Sequence, residues 1–195
     1  FSSILKKKLA EILSLNLQID ILATSHGVLW RDNPMQIVEK YAQWADDYQE
    51  NQITIIYDTM WNGTKKLAEN IAEGIHLADP NVVVKSYNLP LSDDNDLITE
   101  VFKSKMLILG SPTVGNTALH SMAGFIHMVK QMKFKGKKAA SFGCHGWSGG
   151  SVKFMDEQMN DAGFEVITEG MKNLWNPDSD AQKLAVEFGK TVATV

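Results

Sequence analysis

Two patterns of apolar residues alternate along the chain from residue 53 onward. Short apolar runs such as Ile53–Tyr57 are typical of strands that are buried on both faces of a sheet. Longer segments, such as Lys65–Ile75, carry apolar residues every three or four positions, which indicates amphipathic helices. Strands that alternate with helices through short connections predict a parallel sheet covered by helices on both faces.

The same patterns define the predicted elements of this region. Each strand is followed by a helix, which is typical of a doubly wound α/β fold. The predicted strands are 53–57, 82–87, 106–110, 139–143 and 164–169, and the predicted helices are 65–75, 93–102, 118–132, 151–162 and 178–193.

The first fifty residues carry a different and shorter pattern. It predicts a helix over Ser3–Leu15, a short buried strand over Ile19–Ala23 and a second helix over Met35–Tyr48. A polar run at residues 46–52 then separates this part from the rest. We therefore predict one segment over residues 1–50 and a main domain over residues 51–195. Because the chain opens directly in a predicted helix at Phe1, we expect it to be part of a longer protein.

Three loops rich in glycine and small polar residues follow the first, third and fourth predicted strands. In an open parallel sheet, ligands bind beyond the carboxyl ends of the strands. The three loops therefore predict one concave site. Their residues are Thr59, Met60, Trp61, Asn62, Gly63 and Thr64; Ser111, Pro112, Thr113, Val114, Gly115 and Asn116; and Gly143, Cys144, His145, Gly146, Trp147, Ser148, Gly149 and Gly150.

The first loop is a hydroxyl-rich turn between a predicted strand and a predicted helix, an arrangement that suits a phosphate at the helix N-terminus. It matches neither G-x-G-x-x-G nor G-x-x-x-x-G-K-[ST], so it lacks the signatures of dinucleotide and nucleoside triphosphate sites. Hydroxyl and amide donors fit a terminal monophosphate, and FMN is the leading candidate. From this loop by itself, an ordinary turn with a threonine N-cap stays an alternative.

Aromatic residues in the loops suit the flat isoalloxazine ring of a flavin. Trp147, with Trp61 or Met60, can supply an apolar face for the ring. Thr113 and Asn116 can reach the ring or the ribityl chain, and glycine-rich backbone leaves the polar ring edge free for hydrogen bonds. The alternative for Trp147 is a half-buried surface aromatic without a ligand.

The amino-acid composition indicates which kinds of partner and which cellular compartment to expect. The 195 residues are 44% hydrophobic with a net charge of −4, which does not favour nucleic acid as a partner. No apolar run reaches the length of a membrane span, so no membrane partner is expected. Cys144 is the single cysteine, which excludes an internal disulfide and favours a reducing, cytoplasmic location.

Several segments resemble one known family. Tyr57–Trp61, Ser111–Thr113 and Gly146–Gly150 are similar to the flavodoxin module of flavodiiron proteins, also called A-type flavoproteins. Ser25–Arg31 resembles the closing segment of the metallo-β-lactamase-like domain that precedes this module, with His26 at the position of its last diiron ligand. The resemblance implies a flavodoxin-like sheet of order 2-1-3-4-5, with FMN bound by the three loops.

The resemblance also implies an activity for the full-length protein. Such a protein is an oxidoreductase that reduces dioxygen or nitric oxide at a non-haem diiron centre, to which FMN passes electrons. A rubredoxin or a flavin reductase is the implied donor, and a head-to-tail homodimer is the implied assembly. The family's ligand run His-x-Glu-x-Asp-His is absent from this sequence. We therefore expect this chain by itself to bind FMN and transfer electrons without assembling the irons.

Three other functions remain open at this point. A free-standing flavodoxin-type carrier is one, although the segment up to Gln49 argues against it. A flavodoxin-fold NAD(P)H or quinone oxidoreductase is another, although no His/Tyr pair for hydride handling is evident. The third is a binding module without a cofactor, which the yellow colour of a flavoprotein would exclude.

Overall fold

The computed structural model describes residues 2–195 and divides into two units, one up to Tyr48 and one from Gln49 to Val195. The first unit contains two helices and a short antiparallel pair of strands. Leu22 lies opposite Trp30 in that pair. The elements are α1 (Ser2–Ser14), β1 (Leu22–Ala23), β2 (Leu29–Trp30) and α2 (Met35–Trp44).

The first unit departs from the sequence prediction in two places. The prediction of a buried strand over Ile19–Ala23 is wrong, because only Leu22–Ala23 is extended and Ile21 is exposed. Helix α2 ends at Trp44, four residues earlier than predicted. The chain cannot continue as a helix there because Asp47 adopts a left-handed conformation, with φ of 47°.

The second unit is built on a parallel sheet. Its spatial order is β4-β3-β5-β6-β7, and β8 also pairs with β6. Since β7 and β8 occupy the fifth place together, the structure confirms the predicted order 2-1-3-4-5. The strands are β3 (Glu50–Tyr57), β4 (Val83–Asn88), β5 (Ser104–Gly110), β6 (Lys138–His145), β7 (Glu165–Val166) and β8 (Met171–Leu174).

Helices cover both faces of this sheet. Alternate residues of a strand point to opposite faces, so Ile55 packs in one core while Ile56 packs in the other. One core is shared with α3 and α7, and the other with α4, α5 and α6. The helices are α3 (Gly63–Ala78), α4 (Asp94–Lys103), α5 (His120–Met132), α6 (Gly150–Asp161) and α7 (Ser179–Ala193), with a 3-10 turn at Leu89–Leu91.

The fifth strand is interrupted, so the prediction of one continuous strand over 164–169 is wrong. It pairs with β6 as β7, leaves the ladder, and pairs again as β8. The Gly170 backbone lies so close to the Ser141 hydroxyl that a Cβ there would be 2.3 Å from Oγ. That hydroxyl donates to the Asp156 carboxylate at 2.6 Å. Burial raises the pKa of Asp156, while bonds from Ser141 and the Gly170 N–H oppose the shift.

The carboxyl ends of the strands meet at one edge, which we call the carboxyl edge. The loops that leave this edge are tied to one another by backbone hydrogen bonds. The Asp58 N–H donates to the Gly110 carbonyl at 2.9 Å, and the Thr113 N–H donates to the Cys144 carbonyl at 2.9 Å. The loops after β3, β5 and β6 are therefore held together as a single surface.

Candidate functional site

A cavity of about 600 Å³ opens at the carboxyl edge. This volume is within the range of sites for cofactors and small ligands. Among the described residues that line it, none is Asp, Glu, Lys or Arg. The lining residues are Thr59, Met60, Trp61, Gly63, Thr64, Pro112, Thr113, Val114, Gly115, Asn116, Cys144, His145, Gly146, Trp147, Ser148, Trp175 and Asn176.

Most of the loop residues singled out in the sequence therefore lie around one cavity. Those that do not line it are Asn62, Ser111, Gly143, Gly149 and Gly150. Two of these residues allow the loops to approach closely. A Cβ on Gly143 would be 2.1 Å from the Ser111 carbonyl oxygen, and one on Gly150 would be 2.2 Å from the Asn116 carbonyl oxygen. Gly143 and Gly150 therefore allow the close packing of the loops that form the cavity, although neither residue lines it.

The start of helix α3 forms one end of the cavity. Its N-cap is Asn62, which has φ of 62° and no side-chain cap bond to any described residue, so the threonine N-cap considered above is not present. The first turn holds no acidic residue. The N–H groups of a first helical turn have no partner within the helix and present a positive dipole end. This end of the cavity is therefore suited to an anion.

Two threonine hydroxyls accompany the helix start. Thr64 is 1% exposed, and its Oγ1 has no hydrogen-bond partner within residues 2–195. The buried Oγ1 of Thr59 also lacks a partner in this range. A buried hydroxyl without a partner is destabilising, so such groups point to a ligand that completes them. Two hydroxyl donors beside a helix N-terminus fit a phosphate group.

Three indole rings surround the mouth of the cavity. Trp61 is 80% exposed, Trp147 is 89% exposed and Trp175 is 60% exposed. Trp147 and Trp175 meet edge to face, with ring centroids 5.6 Å apart and an interplanar angle of 65°. Large exposed apolar groups that cluster on one surface indicate a binding site. Their shape and apolar character fit a flat aromatic ligand.

The second loop is a tight turn that is joined to helix α6 by a threonine hydroxyl. Gly115 and Asn116 both have positive φ, 55° and 67°, and Val114 and Thr117 exchange two backbone hydrogen bonds of 3.0 Å. Such a two-residue turn requires positive φ at both central positions. Thr113 lines the cavity, but its hydroxyl donates to Ser151 Oγ at 2.9 Å. That hydroxyl is therefore already occupied in joining the second loop to helix α6.

The third loop contributes a thiol and an imidazole. Cys144 is buried, and burial raises the pKa of its thiol, with weaker opposing effects from Thr64 and Asn173. The thiol is therefore protonated at neutral pH and is a poor nucleophile. The His145 ring packs against Gly149, and its buried Nδ1 has no partner among the described residues.

Sequence reasoning missed Trp175 and Asn176. Both follow β8, whereas the prediction ended the fifth strand at residue 169. The sequence did contain a signal for a loop at this position, because Trp175 and Asn176 directly precede a proline and the Asp178 cap of α7. Reading the loop after the fifth strand by the same rule would have included them.

His26 belongs to the first unit. It is exposed in the loop between β1 and β2, and its carbonyl accepts a hydrogen bond of 3.0 Å from the Thr24 hydroxyl. Within residues 2–195, no group of three or more His, Cys, Asp or Glu side chains is placed to hold a metal ion. One histidine is too few ligands for two irons.

The fold and the loops at the carboxyl edge define a class of protein. A family model described as flavodoxin matches residues 55–189, so the chain belongs to the flavodoxin family. Flavodoxin domains bind FMN, which confirms the cofactor predicted from the sequence. The unpartnered threonine hydroxyls at one end of the cavity fit the phosphate of this cofactor, and the exposed indoles at the mouth fit its flat ring.

More particular similarities cover between 73% and 99% of the chain. It is 48% identical over 193 residues to an anaerobic nitric oxide reductase flavorubredoxin of Escherichia coli, covering 99% of this chain and 40% of that protein. Rubredoxin oxygen:oxidoreductase of Desulfovibrio gigas is 26% identical, with a TM-score of 0.91 over 99% of this chain and 48% of that chain. An archaeal flavodoxin shares the fold, with 24% identity and a TM-score of 0.66 over 73% of this chain and 96% of its own.

Two further observations concern the length of the chain and the character of its helices. The chain spans about two-fifths of the length of the curated relatives it matches. No helix within residues 2–195 has both the length and the apolar character that a membrane crossing requires.

Proposed function

We propose that this chain is the FMN-binding electron-transfer module of a flavodiiron oxygen or nitric oxide reductase. The observation that carries this proposal is the cavity at the carboxyl edge, with unpartnered hydroxyls of Thr59 and Thr64 at one end and exposed indoles at its mouth. The names of the similar proteins, a nitric oxide reductase flavorubredoxin and a rubredoxin oxygen:oxidoreductase, support the redox assignment.

The two ends of the cavity have different tasks in this proposal. Thr59, Thr64 and the first N–H groups of α3 hold the phosphate, because hydrogen bonds to a charged group are stronger than neutral ones. Trp61 and Trp147 offer apolar surface to the ring. FMN supplies the redox chemistry when bound, and the chain supplies binding, orientation and a lining whose described residues include no Asp, Glu, Lys or Arg.

We propose that residues 1–50 are the closing segment of a metallo-β-lactamase-like domain and residues 51–195 the FMN domain. Large exposed apolar side chains in the first unit support this, because such a surface is typical of a segment that packs against more protein. His26 then serves as one diiron ligand within the longer protein. The exposed apolar residues of this unit include Ile4, Ile12, Leu13, Leu15, Leu17, Ile21, Val28 and Leu29.

The coverage of the comparisons favours the module over a free-standing carrier. The archaeal flavodoxin accounts for 73% of this chain, whereas rubredoxin oxygen:oxidoreductase accounts for 99%. Segments before residue 53 are therefore shared with the larger proteins. A rubredoxin-like donor, or a flavin reductase, and a head-to-tail homodimer complete the proposal. We also place the protein in the cytoplasm, where a free Cys144 stays reduced.

The source of electrons tests this function. The purified protein, loaded with FMN under anaerobic conditions, is mixed either with reduced rubredoxin or with NADH, and the visible flavin absorption is followed. We expect rapid bleaching with rubredoxin and none with NADH over the same time. Direct bleaching by NADH at an equal rate would favour the NAD(P)H oxidoreductase and contradict the proposal.

A further inference from the structure

Trp175 has an unusual backbone conformation for a bulky residue. It follows β8 with φ of 59°, in the left-handed region. Residues other than glycine, asparagine and aspartate rarely adopt this region, because Cβ crowds the following carbonyl oxygen. Strained backbone of this kind concentrates at ligand sites, where the surrounding structure maintains it.

Two hydrogen bonds hold the strained turn on both sides. The Trp175 N–H donates to the His145 carbonyl at 2.8 Å, which continues the pairing of β8 with β6. The Asn173 side-chain amide donates to the Trp175 carbonyl at 2.9 Å. The turn is therefore fixed to the strand that carries the third loop of the cavity.

The fixed turn determines where the indole lies. The ring packs on the backbone of Gly146, where an added Cβ would be 3.0 Å from Trp175 Cη2. It also meets the edge of Trp147 and lines the cavity. Although the backbone is strained to place it there, the side chain remains 60% exposed. Burial within this chain therefore does not explain the strained conformation.

We infer that Trp175 is a flavin-binding residue, and that the strained turn holds its indole in place beside the three loops of the cavity. This inference rests on the proposed function and adds a residue from the fifth-strand loop to the three loops that follow β3, β5 and β6. The indole contacts the flat ring of the bound cofactor, and it fixes the orientation of Trp147 through their edge-to-face contact. The strained turn thus prepares the aromatic surface before the cofactor binds.

The test uses two variants that remove the same indole. Trp175→Ala keeps a side chain at the strained position, whereas Trp175→Gly also relieves the strain. Leu174→Ala is the matched control, because Leu174 is the adjacent residue, is similarly exposed at 58%, and does not line the cavity. For each protein we measure the dissociation constant of FMN, the visible circular dichroism of bound flavin and the urea midpoint of the FMN-free form.

The inference predicts that both substitutions weaken FMN binding, whereas the stability of the FMN-free protein depends on whether the strain at residue 175 is relieved. Both Trp175 variants bind FMN roughly tenfold more weakly or worse and change the visible dichroism, as expected for loss of a stacking contact. The FMN-free Trp175→Gly protein unfolds at no lower urea concentration than Trp175→Ala, and Leu174→Ala binds FMN as the wild type does.

Two results would overturn this role for Trp175. One is FMN affinity within twofold of wild type in both variants. The other is weaker binding with an unchanged dichroism spectrum and a urea midpoint lowered in parallel, since the indole would then act only through the fold. A wild-type protein that binds no FMN would instead refute the proposed function itself, and the inference with it.

Discussion

Replacing Thr64 with valine removes one hydroxyl and keeps the β-branched shape. In the FMN-free protein this hydroxyl is buried without a hydrogen-bond partner among the described residues. An unsatisfied buried polar group costs about 1–3 kcal/mol of stability. Thr64 also lowers the pKa of the Cys144 thiol, and because sulfur is only a weak acceptor we take the lower end of this range. We therefore expect Thr64→Val to raise the free energy of unfolding of the FMN-free protein, by about 1 kcal/mol.

The same substitution should weaken FMN binding. A hydrogen bond to a charged group contributes about 1.5–3 kcal/mol, which corresponds to a dissociation constant about 10- to 150-fold higher. Riboflavin has the same ring and no phosphate. Its affinity should therefore stay within about twofold of wild type, because the lost bond served the phosphate.

Titration of the FMN-free protein with each flavin, followed by quenching of flavin fluorescence, measures both affinities. Urea unfolding gives the stability. Thr99→Val is a control, because Thr99 lies on the exposed side of α4 and its hydroxyl donates to the Asn95 carbonyl of its own helix, at 2.8 Å. Equal losses for FMN and riboflavin would refute the reasoning, since the hydroxyl would then act through the fold and not on the phosphate.

Three further predictions concern stability, each measured by urea unfolding of the FMN-free protein. Gly124→Ala should stabilise α5 by about 0.5–1 kcal/mol, because apart from its chain neighbours and the nearby backbone of its own helix no described atom lies within 4 Å of the new methyl group. Gly150→Ala should destabilise by about 1–3 kcal/mol, because its methyl group would clash with the Asn116 carbonyl. Equal effects of the two substitutions would contradict this. Asp156→Asn should remove a pH dependence. The folded pKa of Asp156 is raised above the ordinary 3.8, so the stability of wild type relative to the variant should fall as pH rises from 3.8 through that pKa, and a relative stability that rises with pH would contradict the shift. Asp178→Ala should cost about 1 kcal/mol, since Asp178 Oδ1 accepts from two N–H groups of the first turn of α7, and an unchanged midpoint would show that this cap is dispensable.

Local patterning was enough to predict the sheet and the position of the cavity. The apolar run at Ile53–Tyr57 and the helical spacing after Lys65 both depend on near neighbours in sequence, and the structure has β3 and α3 there. The connection order of a parallel sheet then brings the loops after β3, β5 and β6 to one edge. These steps require no knowledge of individual side-chain contacts.

Contacts between distant residues determined what the sequence did not predict. At the break between β7 and β8, Gly170 closely approaches Ser141, which lies on another strand. Because this break was not predicted, the loop that carries Trp175 was not recognised as part of the site. Similarly, the use of the Thr113 hydroxyl depends on Ser151, which is 38 positions away. Local propensity contains no signal for such pairings.

The most direct test of the central claim is the uptake of FMN by the cofactor-free protein. The protein is titrated with FMN while tryptophan fluorescence and the unbound flavin are measured together. Our account predicts saturation at one FMN per chain, with tryptophan emission quenched because Trp61, Trp147 and Trp175 surround the cavity. Tryptophan emission that stays constant while all the added FMN remains unbound would contradict it.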